Sequence, residues 1–452
     1  MFKSRYNVEV ERDSGETLPE LLLFNTANGA FASLEGDALK SYMMGTDLPD
    51  GGLAKNGFLT PMSPEEELEI QRRNFDIARG GNGEFSICIL PTYVCNYRCP
   101  YCYEVGHNSI GGKLTDEVAD AIYKYMERSY AAKPFKVMTV QWYGGDPSLC
   151  LDVVESLSKR FIDFCDSHNV VYSAMMLTNC NLIDEKAVDL LKRCKVTGVL
   201  VTIDGLEETH NKRRVAADGS NSFERNMNAV HLFKQNGIDV FAGCNIDKVN
   251  WKEYPELKHM LMEKEGVSIS ANKLNDYGST FGTGEFKEPD FDLFTHEEFF
   301  QAQHDLLAEE GLDAQTLRQM LRPVGRFCRG QLDSYINIDP TGDVYKCDGV
   351  VGEKDQVMFN ILDEDVDPIQ ASKTVTFDAT RDPKCSECNI LPICQGSCYW
   401  ERSRSGMPCH PLKTTMDQYL NDYRNCFDLN PDNREEFELL AQPFDPDDVL
   451  AL

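Results

Sequence analysis

The sequence has 452 residues, of which 42% are apolar, and a formal net charge of −29 from 74 acidic and 45 basic side chains. This length allows two or three globular domains. The charge argues against nucleic acid as a partner, because phosphate binding needs clustered Lys and Arg. It leaves open either a basic peptide partner or a solvated acidic surface.

The cysteine content and the absence of targeting signals predict the cellular compartment. The N-terminus, MFKSRYNVEVERDSGE, is polar from the start, and no apolar run reaches membrane length. Seventeen cysteines in such a chain favour a reducing compartment and metal ligation over disulfides. We therefore expect a soluble, cytoplasmic protein with no membrane partner.

The first segment, residues 1–84, has its own pattern. The stretch YNVEVERDSGETLPELLLFNTANGAFASLEG alternates apolar and polar residues around Gly and Asn, which predicts short strands. A turn at Asp50-Gly51-Gly52 precedes EEELEIQRRNFDIAR, which has the pattern of a helix. We predict a separate small domain.

From residue 85 to about 305 the pattern becomes a regular alternation of strands and helices. This alternation predicts parallel strands with right-handed crossovers, and six units predict an α/β partial barrel that is open on one side. Chemistry in such barrels lies at the C-terminal strand ends. The six predicted strands lie in the stretches FSICIL, VMTVQWYGG, VYSAMMLTN, TGVLVTID, IDVFAGCNID and VSISANKL.

Three cysteines follow the first barrel strand in the stretch CNYRCPYCYE, at Cys95, Cys99 and Cys102. Tetrahedral metal sites and cubane clusters both take four protein ligands when fully ligated. Three local thiolates therefore leave one position for a substrate or cofactor. A buried cysteine cluster, or a zinc site with a distant fourth ligand, is the alternative.

The loop resembles the signature of the radical S-adenosylmethionine (SAM) family, Cys-x3-Cys-x-aromatic-Cys, with Tyr101 as the aromatic residue. The resemblance implies that the three cysteines bind a [4Fe–4S] cluster whose fourth iron chelates SAM. It also implies that reductive cleavage of SAM gives a 5′-deoxyadenosyl radical that abstracts hydrogen.

Further barrel motifs resemble the SAM-binding segments of that family. Gly144-Gly145-Asp146 stands where the family has Gly-Gly-Glu, and the resemblance implies that Asp146 receives the SAM ammonium group. The Asp side chain is one methylene shorter than the Glu of the family motif, so its carboxylate reaches less far. Tyr101 also counts among the implied cofactor-binding residues.

The third and fourth predicted strands also end in stretches that resemble motifs of that family. Thr178-Asn179 resembles the Thr-Asn-Gly motif, with Cys180 in place of Gly, and Asn179 is expected to hydrogen-bond a ribose hydroxyl. IDGLEETHNKRR resembles a motif in which Asp and His order the site and Arg reaches the SAM carboxylate. A structural ion-pair role is the alternative for these residues, which are Asp204, His210, Arg213 and Arg214.

The last segment, residues 306–452, carries eight cysteines, and seven of them stand in an order that closely resembles the SPASM extension of radical SAM enzymes. The resemblance implies two auxiliary [4Fe–4S] clusters, and so three clusters in all. The outer cluster would be held by Cys385, Cys388, Cys394 and Cys409, and the inner cluster by Cys328, Cys347 and Cys398. A zinc ribbon is the alternative.

The inner set lacks the fourth cysteine that fully ligated relatives have, and Arg322 stands near that place. An open iron site would suit a substrate thiolate, which is a soft ligand. Water, a carboxylate or a distant cysteine could instead complete the site, and the unassigned cysteines are Cys88, Cys150, Cys165, Cys180, Cys194, Cys244 and Cys426. Asp348 matches the position of a base proposed in sulfatase-maturing relatives, with a turn or surface role as the alternative.

SPASM enzymes mostly modify peptides or proteins, and residues 1–84 resemble the winged-helix-like element that grips leader peptides of ribosomal precursors. A plain cap on the barrel is the alternative. The resemblance implies a maturase that closes a Cys thioether on a precursor peptide with a leader, with flavodoxin or ferredoxin as electron donor. Carbon–carbon crosslinking, sulfatase-type oxidation to formylglycine and a zinc-stabilised, non-redox binding scaffold remain alternatives.

Overall fold

The computed structural model describes most of the chain and divides it into two compact units. The first unit contains residues 1–82, 304–332 and 375–452, and the second contains residues 83–303 and 333–374. The division into segments 1–84, 85–305 and 306–452 stays a prediction. The described residues are 1–12, 20–81, 83–104, 112–275, 291–363, 366–367, 377–405, 409–428, 442–445 and 449.

The N-terminal part of the first unit contains short strands followed by helices, as predicted for the described part of this segment. Strands β2, β3 and β4 form an antiparallel sheet in that order, and β1 pairs with β5. Residues 13–19 of the predicted strand region lie outside the described residues. The elements are β1 (Phe2–Lys3), β2 (Asn7–Arg12), β3 (Glu20–Asn25), β4 (Phe31–Leu34), α1 (Gly36–Met43), α2 (Gly52–Lys55), β5 (Leu59–Thr60) and α3 (Pro64–Gly80).

Helix α3 begins at a sequence-encoded start signal. The Ser63 side chain accepts a hydrogen bond from the Glu66 backbone amide, and the Glu66 carboxylate accepts one from the Ser63 amide at 2.8 Å. Pro64 occupies the first helical position, where no backbone donor is needed. Local chemistry alone therefore fixes where this helix starts.

The second unit contains the predicted partial barrel. Six parallel strands pair in the order β6-β7-β8-β9-β10-β11, so each crossover leads to the neighbouring strand. The helix α9 continues into a π-helical turn at Met260–Lys264. The elements are β6 (Glu84–Ile89), α4 (Asp116–Ala132), β7 (Val137–Trp142), α5 (Leu151–His168), β8 (Val171–Thr178), α6 (Glu185–Arg193), β9 (Val196–Thr202), α7 (Glu207–Arg213), α8 (Ser222–Gln235), β10 (Asp239–Ile246), α9 (Tyr254–His259) and β11 (Ser268–Lys273).

The strand sequences reflect their positions in the sheet. The central β6 is buried from Phe85 to Ile89, as expected for a parallel strand covered on both faces. The edge strand β11 instead alternates exposed and half-buried residues. Among the described strands, the parallel set ends at β11 on one side and does not close on itself, so the barrel is partial, as predicted.

Three further strands extend the barrel sheet, and the sequence analysis did not anticipate them there. Strand β12 (Tyr335–Ile338) pairs in parallel with β6, and β13 (Asp343–Tyr345) and β14 (Phe359–Asn360) continue the sheet antiparallel. The pairing satisfies the backbone groups on the free edge of β6. Residues 333–374 consequently belong to the second unit, together with the barrel.

The remaining helices complete the description. They are α10 (His296–Glu310), α11 (Ala314–Met320), α12 (Leu391–Cys394), α13 (Tyr399–Ser405) and α14 (Leu412–Asp428). Within the first unit, Arg424 of α14 pairs with the buried Glu20 of β3 at 2.9 Å, and Tyr423 packs edge-on against Phe31. The N-terminal sheet thus packs against the C-terminal helix. Among the described helices, none combines the length and apolar character required to cross a membrane.

Candidate active site

A cavity of about 430 Å³ lies at the C-terminal ends of the barrel strands, a volume typical of small-molecule sites. All three cysteines of the loop after β6 line it, and residues from the ends of β7 to β11 complete the wall. The predicted residues among its lining are Cys95, Cys99, Tyr101, Cys102, Gly144, Gly145, Thr178, Asn179 and Arg214. Asp146, Asp204 and Arg213 do not line it.

Backbone hydrogen bonds hold the cysteine loop against the segment after α7. The Arg98 amide donates to the Val215 carbonyl at 2.7 Å, and the Ala217 amide donates to the Asn96 carbonyl at 2.9 Å. The Arg98 guanidinium also donates a hydrogen bond to the Cys95 carbonyl at 2.8 Å. Hydrogen bonds within the barrel unit therefore hold the loop in position.

The loop thiols lie in a site that favours protonation unless a metal binds. Burial raises the pKa of Cys95 to about 11, and it also raises the pKa of Cys99. The Asn179 amide donates to the Cys95 sulfur at 3.4 Å. Because metal ligands must be deprotonated, a bound metal centre has to displace these protons.

Gly144 and Gly145 bring the loop after β7 into contact with the cysteine loop. A Cβ atom on Gly145 would lie 2.3 Å from the Val94 carbonyl oxygen, and one on Gly144 would lie 2.5 Å from the Thr92 carbonyl oxygen. Gly144 also has a φ of +107°, which side chains rarely adopt. Both positions therefore require glycine.

Asp146 connects two loops behind the cavity wall. Its carboxylate accepts hydrogen bonds from the Ser148 amide at 2.8 Å, the Asn179 amide at 2.7 Å and the Thr178 hydroxyl at 3.1 Å. The side chain is 1% exposed. In this structure Asp146 positions Thr178 and Asn179, and its expected contact with the SAM ammonium group stays a prediction.

The two adjacent arginines have different surroundings. Arg214 lines the cavity, donates to the Tyr101 hydroxyl at 2.9 Å, and leaves its buried Nε without a hydrogen-bond partner among the described residues. Arg213 instead pairs with the buried Asp247 at 3.1 Å. The Nε of Arg213 is also buried without a hydrogen-bond partner among the described residues, so only the cavity lining separates the two arginines, and Arg214 is the one that lines it.

Asp204 and His210 support Tyr101 from behind. The Tyr101 hydroxyl donates to the Asp204 carboxylate, whose other oxygen accepts from the Asn245 amide at 2.9 Å. The Asp204 amide donates to Nδ1 of His210 at 3.3 Å, and burial lowers the pKa of His210 well below its usual value. A neutral His210 therefore orders the end of β9 without contributing charge.

One side of the cavity is acidic and aromatic, and it was not predicted from the sequence. Glu104 lines the cavity, and its buried Oε1 has no hydrogen-bond partner within the described residues. Burial raises the pKa of Glu104 to about 8, although a hydrogen bond from Tyr103 lowers it. The Tyr103 hydroxyl also contacts that of Tyr143. Glu104 directly follows the Cys-x3-Cys-x2-Cys-Tyr stretch, and only that adjacency could have indicated it.

Asp348 lies next to this aromatic side. The Tyr335 hydroxyl donates to its carboxylate at 2.5 Å, and the Tyr103 hydroxyl donates to its backbone carbonyl at 3.4 Å. Tyr103, the residue after Cys102, thus contacts Asp348, the residue after Cys347. The proposed role of Asp348 as a base stays a prediction, and this contact brings it near the cavity wall.

A second cavity, in the first unit, brings together the four cysteines assigned to the outer cluster. Cys385, Cys388, Cys394 and Cys409 all line it. Their loop is shaped by Asp382, which accepts the Cys385 amide at 2.8 Å. The resemblance-based grouping of these four residues therefore coincides with a single site in the folded chain.

The three cysteines assigned to the inner cluster are divided between the two units. Cys328 and Cys398 belong to the first unit, where burial, with a smaller contribution from Cys328, raises the pKa of Cys398. Cys347 belongs to the second unit, at the end of the turn after β13. Their grouping stays a prediction.

The residues present fit the cofactors that the motifs imply. The barrel cavity offers three thiols, a cationic donor at Arg214 and the amide of Asn179. The second cavity offers four thiols, the donor set of a fully ligated cubane cluster. Within the described ranges, no three His, Cys, Asp or Glu side chains are already gathered around one metal position.

Comparisons with known proteins agree with this reading. Residues 89–261 match the family model of the radical SAM superfamily. A cysteine-type anaerobic sulfatase-maturating enzyme of Clostridium novyi is 23% identical over 74% of this chain and 92% of its own length. The mycofactocin maturase MftC of Mycolicibacterium smegmatis is 22% identical over 70% of this chain and 78% of its own length.

A solved structure of native anSMEcpe with bound AdoMet and the Cp18Cys peptide has the same fold. It superposes with a TM-score of 0.56 at 19% identity, and the match covers 75% of this chain and 99% of that one. The cysteine loop, the partial barrel and the family match together show that this protein is a radical SAM enzyme.

Proposed function

We propose that this protein is a peptide maturase that joins a cysteine sulfur to a carbon atom of a ribosomal precursor peptide. When bound, the barrel cluster and SAM supply reductive SAM cleavage and hydrogen abstraction. The observation that carries the proposal is the second cysteine site, because four thiols in one cavity fit an auxiliary cluster that a simple radical SAM barrel does not need. Three clusters in all are proposed.

Several barrel residues have surroundings that suit binding of SAM. Arg214 would receive the SAM carboxylate through its free donor, and Asn179 would hydrogen-bond the ribose. Tyr101 holds Arg214 in place at 2.9 Å. The half-buried tyrosines Tyr103 and Tyr143 would help to exclude water from the cavity.

The thioether bond is proposed from the composition of the inner cysteine set. Only three cysteines are assigned to it, and Arg322 near the fourth place directs its guanidinium over the Phe444 ring, 5.5 Å from the ring centroid. An open iron position would hold the substrate cysteine as a thiolate. The cysteine sulfur would then lie ready to bond to the carbon that loses hydrogen.

The overall reaction removes two hydrogen atoms from the peptide. One leaves the carbon as a hydrogen atom, and the thiol loses its hydrogen as a proton and an electron while the carbon–sulfur bond forms. Asp348 is proposed to accept the proton, since its carboxylate is held at 2.5 Å by Tyr335 and its backbone contacts Tyr103 of the cysteine loop. An auxiliary cluster would accept the electron.

The N-terminal domain is proposed to bind the leader of the precursor. Its three-stranded antiparallel sheet has two edge strands, β2 and β4, and an extended peptide could add to such an edge. Relatives named as peptide or protein maturases support a peptide substrate. Leader binding would bring the core peptide to the enzyme at a high local concentration.

Oxidation of a cysteine or serine to formylglycine is the second candidate. It is favoured by the similarity to the sulfatase-maturating enzyme over 92% of that protein's length and by the position of Asp348 next to the cavity wall. The two reactions differ in their products. A thioether retains the cysteine sulfur, whereas formylglycine made from cysteine has lost it.

The test begins with an iron and sulfide count on anaerobically reconstituted protein. The wild type should hold about twelve irons, and a variant with Cys95, Cys99 and Cys102 changed to Ala should hold about eight. A second variant, with the four outer cysteines changed to Ala, should also hold about eight. A wild-type count of about four irons, or a colourless protein loaded with zinc, would refute the three-cluster assignment.

The product is then identified by incubating the reduced enzyme and SAM with Cys-containing precursor peptides. Mass spectrometry should show the loss of two hydrogen atoms with the sulfur retained and no free thiol to alkylate. Loss of the sulfur would replace the thioether by formylglycine. A new crosslink with the cysteine still alkylatable would replace it by carbon–carbon bond formation.

A further inference from the structure

The surroundings of the four-cysteine cavity are basic in a protein that is otherwise strongly acidic. The residues that line the cavity beside the cysteines include Lys384, Arg402, His410 and Lys413, and no carboxylate is among them. The whole chain has 74 acidic and 45 basic side chains. A local excess of cations is therefore contrary to the average composition.

One of these cations is fixed directly on a cluster ligand. Arg402 donates to the Cys385 sulfur at 3.7 Å and to the Gly396 carbonyl at 3.3 Å. Its guanidinium also lies over the Phe377 ring, 4.6 Å from the ring centroid. A cation held against a thiolate ligand favours the more negative, reduced form of a cluster.

The two lysines extend the positive charge to the surface. Lys384 and Lys413 are both exposed, and within the described residues neither side chain forms an ion pair. Asp382 accepts the backbone amides of Lys384 and Cys385 at 3.0 and 2.8 Å and pairs with Arg402 at 4.0 Å rather than with either lysine. The exposed amines thus remain available to a partner.

We propose that the face formed by Lys384, Arg402, His410 and Lys413 is the docking surface for an acidic one-electron carrier protein, which reduces the cluster held by the four outer cysteines. The inference rests on the proposed function, because that cluster is part of it. The carrier loses one electron, the cluster gains one, and no bond is made or broken. Complementary charge would steer the encounter, which the repulsion between two acidic proteins would otherwise slow.

The experiment uses reduced flavodoxin as the probe and stopped-flow bleaching of the iron–sulfur absorbance as the readout. The double variant K384E/K413E should be reduced at least about tenfold more slowly than the wild type at low ionic strength, and its rate should depend less steeply on salt. Reduction by dithionite, a small reductant, should be unchanged. Iron content checks that the cluster is retained.

A matched control changes the total charge equally at a different place. Lys159 of α5 and Lys186 of α6 are exposed and do not line the cysteine cavity, so K159E/K186E carries the same charge change without altering that lining. This control should keep most of the wild-type rate. Equal slowing of both double variants, or slowing of neither, would overturn the docking surface.

A second measurement tests the proposal even if K384E/K413E loses its iron. Zero-length carbodiimide crosslinking of wild-type protein to flavodoxin should join carboxylates of the carrier to Lys384 or Lys413, and crosslinks found only at other lysines would overturn the proposal. An acidic peptide could also bind the same lysines without slowing the reduction of the cluster by flavodoxin. That result would identify the substrate as the occupant of this face and would overturn the proposal. The reduction kinetics need no SAM, so failure of dithionite-reduced enzyme to cleave SAM would refute the proposed function separately.

Discussion

Arg213 and Arg214 show how neighbouring residues of one type acquire different roles from their surroundings. Arg214 lines the cavity, whereas Arg213 pairs with the fully buried Asp247. The sequence motif matched both residues equally. Only the three-dimensional placement separates Arg214, the proposed SAM ligand, from Arg213, which forms a buried ion pair.

Arg214→Gln should weaken SAM binding without unfolding the protein. Losing a charge-assisted hydrogen bond costs about 1.5–3 kcal/mol, which corresponds to roughly 10- to 150-fold in the dissociation constant. Equilibrium binding of SAM to the reconstituted enzyme measures this. Unchanged SAM affinity in Arg214→Gln would show that the carboxylate binds elsewhere.

Arg213→Gln should have the opposite profile. Removing one partner of a buried pair leaves Asp247 uncompensated and costs about 3–5 kcal/mol of folding free energy. Thermal unfolding of the two variants side by side should show a lower midpoint for Arg213→Gln alone. Equal midpoints for the two variants would contradict the structural assignment of Arg213.

Residue types that are chemically constrained were the easiest to interpret from the sequence. Cysteines assigned to one outer cluster do line one cavity, and the two glycines after β7 lie where only glycine fits. Glu104 escaped notice because a single carboxylate after a motif resembles any surface acid. Its burial, which gives it significance, depends on packing that a sequence does not display.

At the scale of elements, the loop after β7 and the cysteine loop form one interlocked piece. The Gly145 amide donates to the Thr92 carbonyl at 3.1 Å, and the Asp146 amide donates to the Val94 carbonyl at 3.0 Å. A side chain at Gly145 would collide with this backbone. The two loops must therefore move together or not at all.

Gly145→Ala should prevent the cysteine loop from binding its iron–sulfur cluster. The added methyl would meet the Val94 oxygen at 2.3 Å, so the cysteine loop has to shift. The variant should retain about eight of about twelve irons, as in the three-cysteine variant. Gly198→Ala in β9 is the control, because its Cβ would meet nothing closer than 3.5 Å. A full iron content in Gly145→Ala would refute this account.

The elements themselves were largely predictable, and their partners were not. The six barrel strands and most of the helices follow from hydrophobic periodicity and end signals such as Ser63 and Glu66. Strand β12 is only four residues long, and its partner β6 lies about 250 positions earlier. Nothing in YINI specifies a distant edge over a near one, so the pairing had to come from the structure.

At the scale of the whole molecule, the N-terminal domain and the outer cysteine loop belong to one unit. Within it, the Arg5 guanidinium donates to the Ser386 carbonyl at 2.5 Å, and the Asn389 amide donates to the Asn7 carbonyl at 3.3 Å. The proposed leader-binding domain is therefore supported by the loop that carries Cys385 and Cys388.

Removing the outer cluster should consequently loosen residues 1–82. In a Cys388→Ala/Cys394→Ala variant, amide hydrogen exchange should accelerate in the N-terminal sheet, because its supporting loop loses its metal-bound geometry. Exchange in the barrel strands β7 to β10 should stay slow and serves as the internal control. Unchanged protection across residues 1–82 would mean that this domain is stable on its own.

The pairing of β12 with β6 has a consequence for how the chain is made. The register joins Tyr335 to Ser86, and residues 333–374 lie between two stretches of the other unit along the chain. During synthesis, the edge of β6 must wait for about 250 further residues before its partner leaves the ribosome. Such distant contacts slow folding, and an open strand edge in the meantime invites aggregation. Neither unit can be excised as a single continuous fragment, so recombinant pieces of this enzyme should misfold where the full chain succeeds.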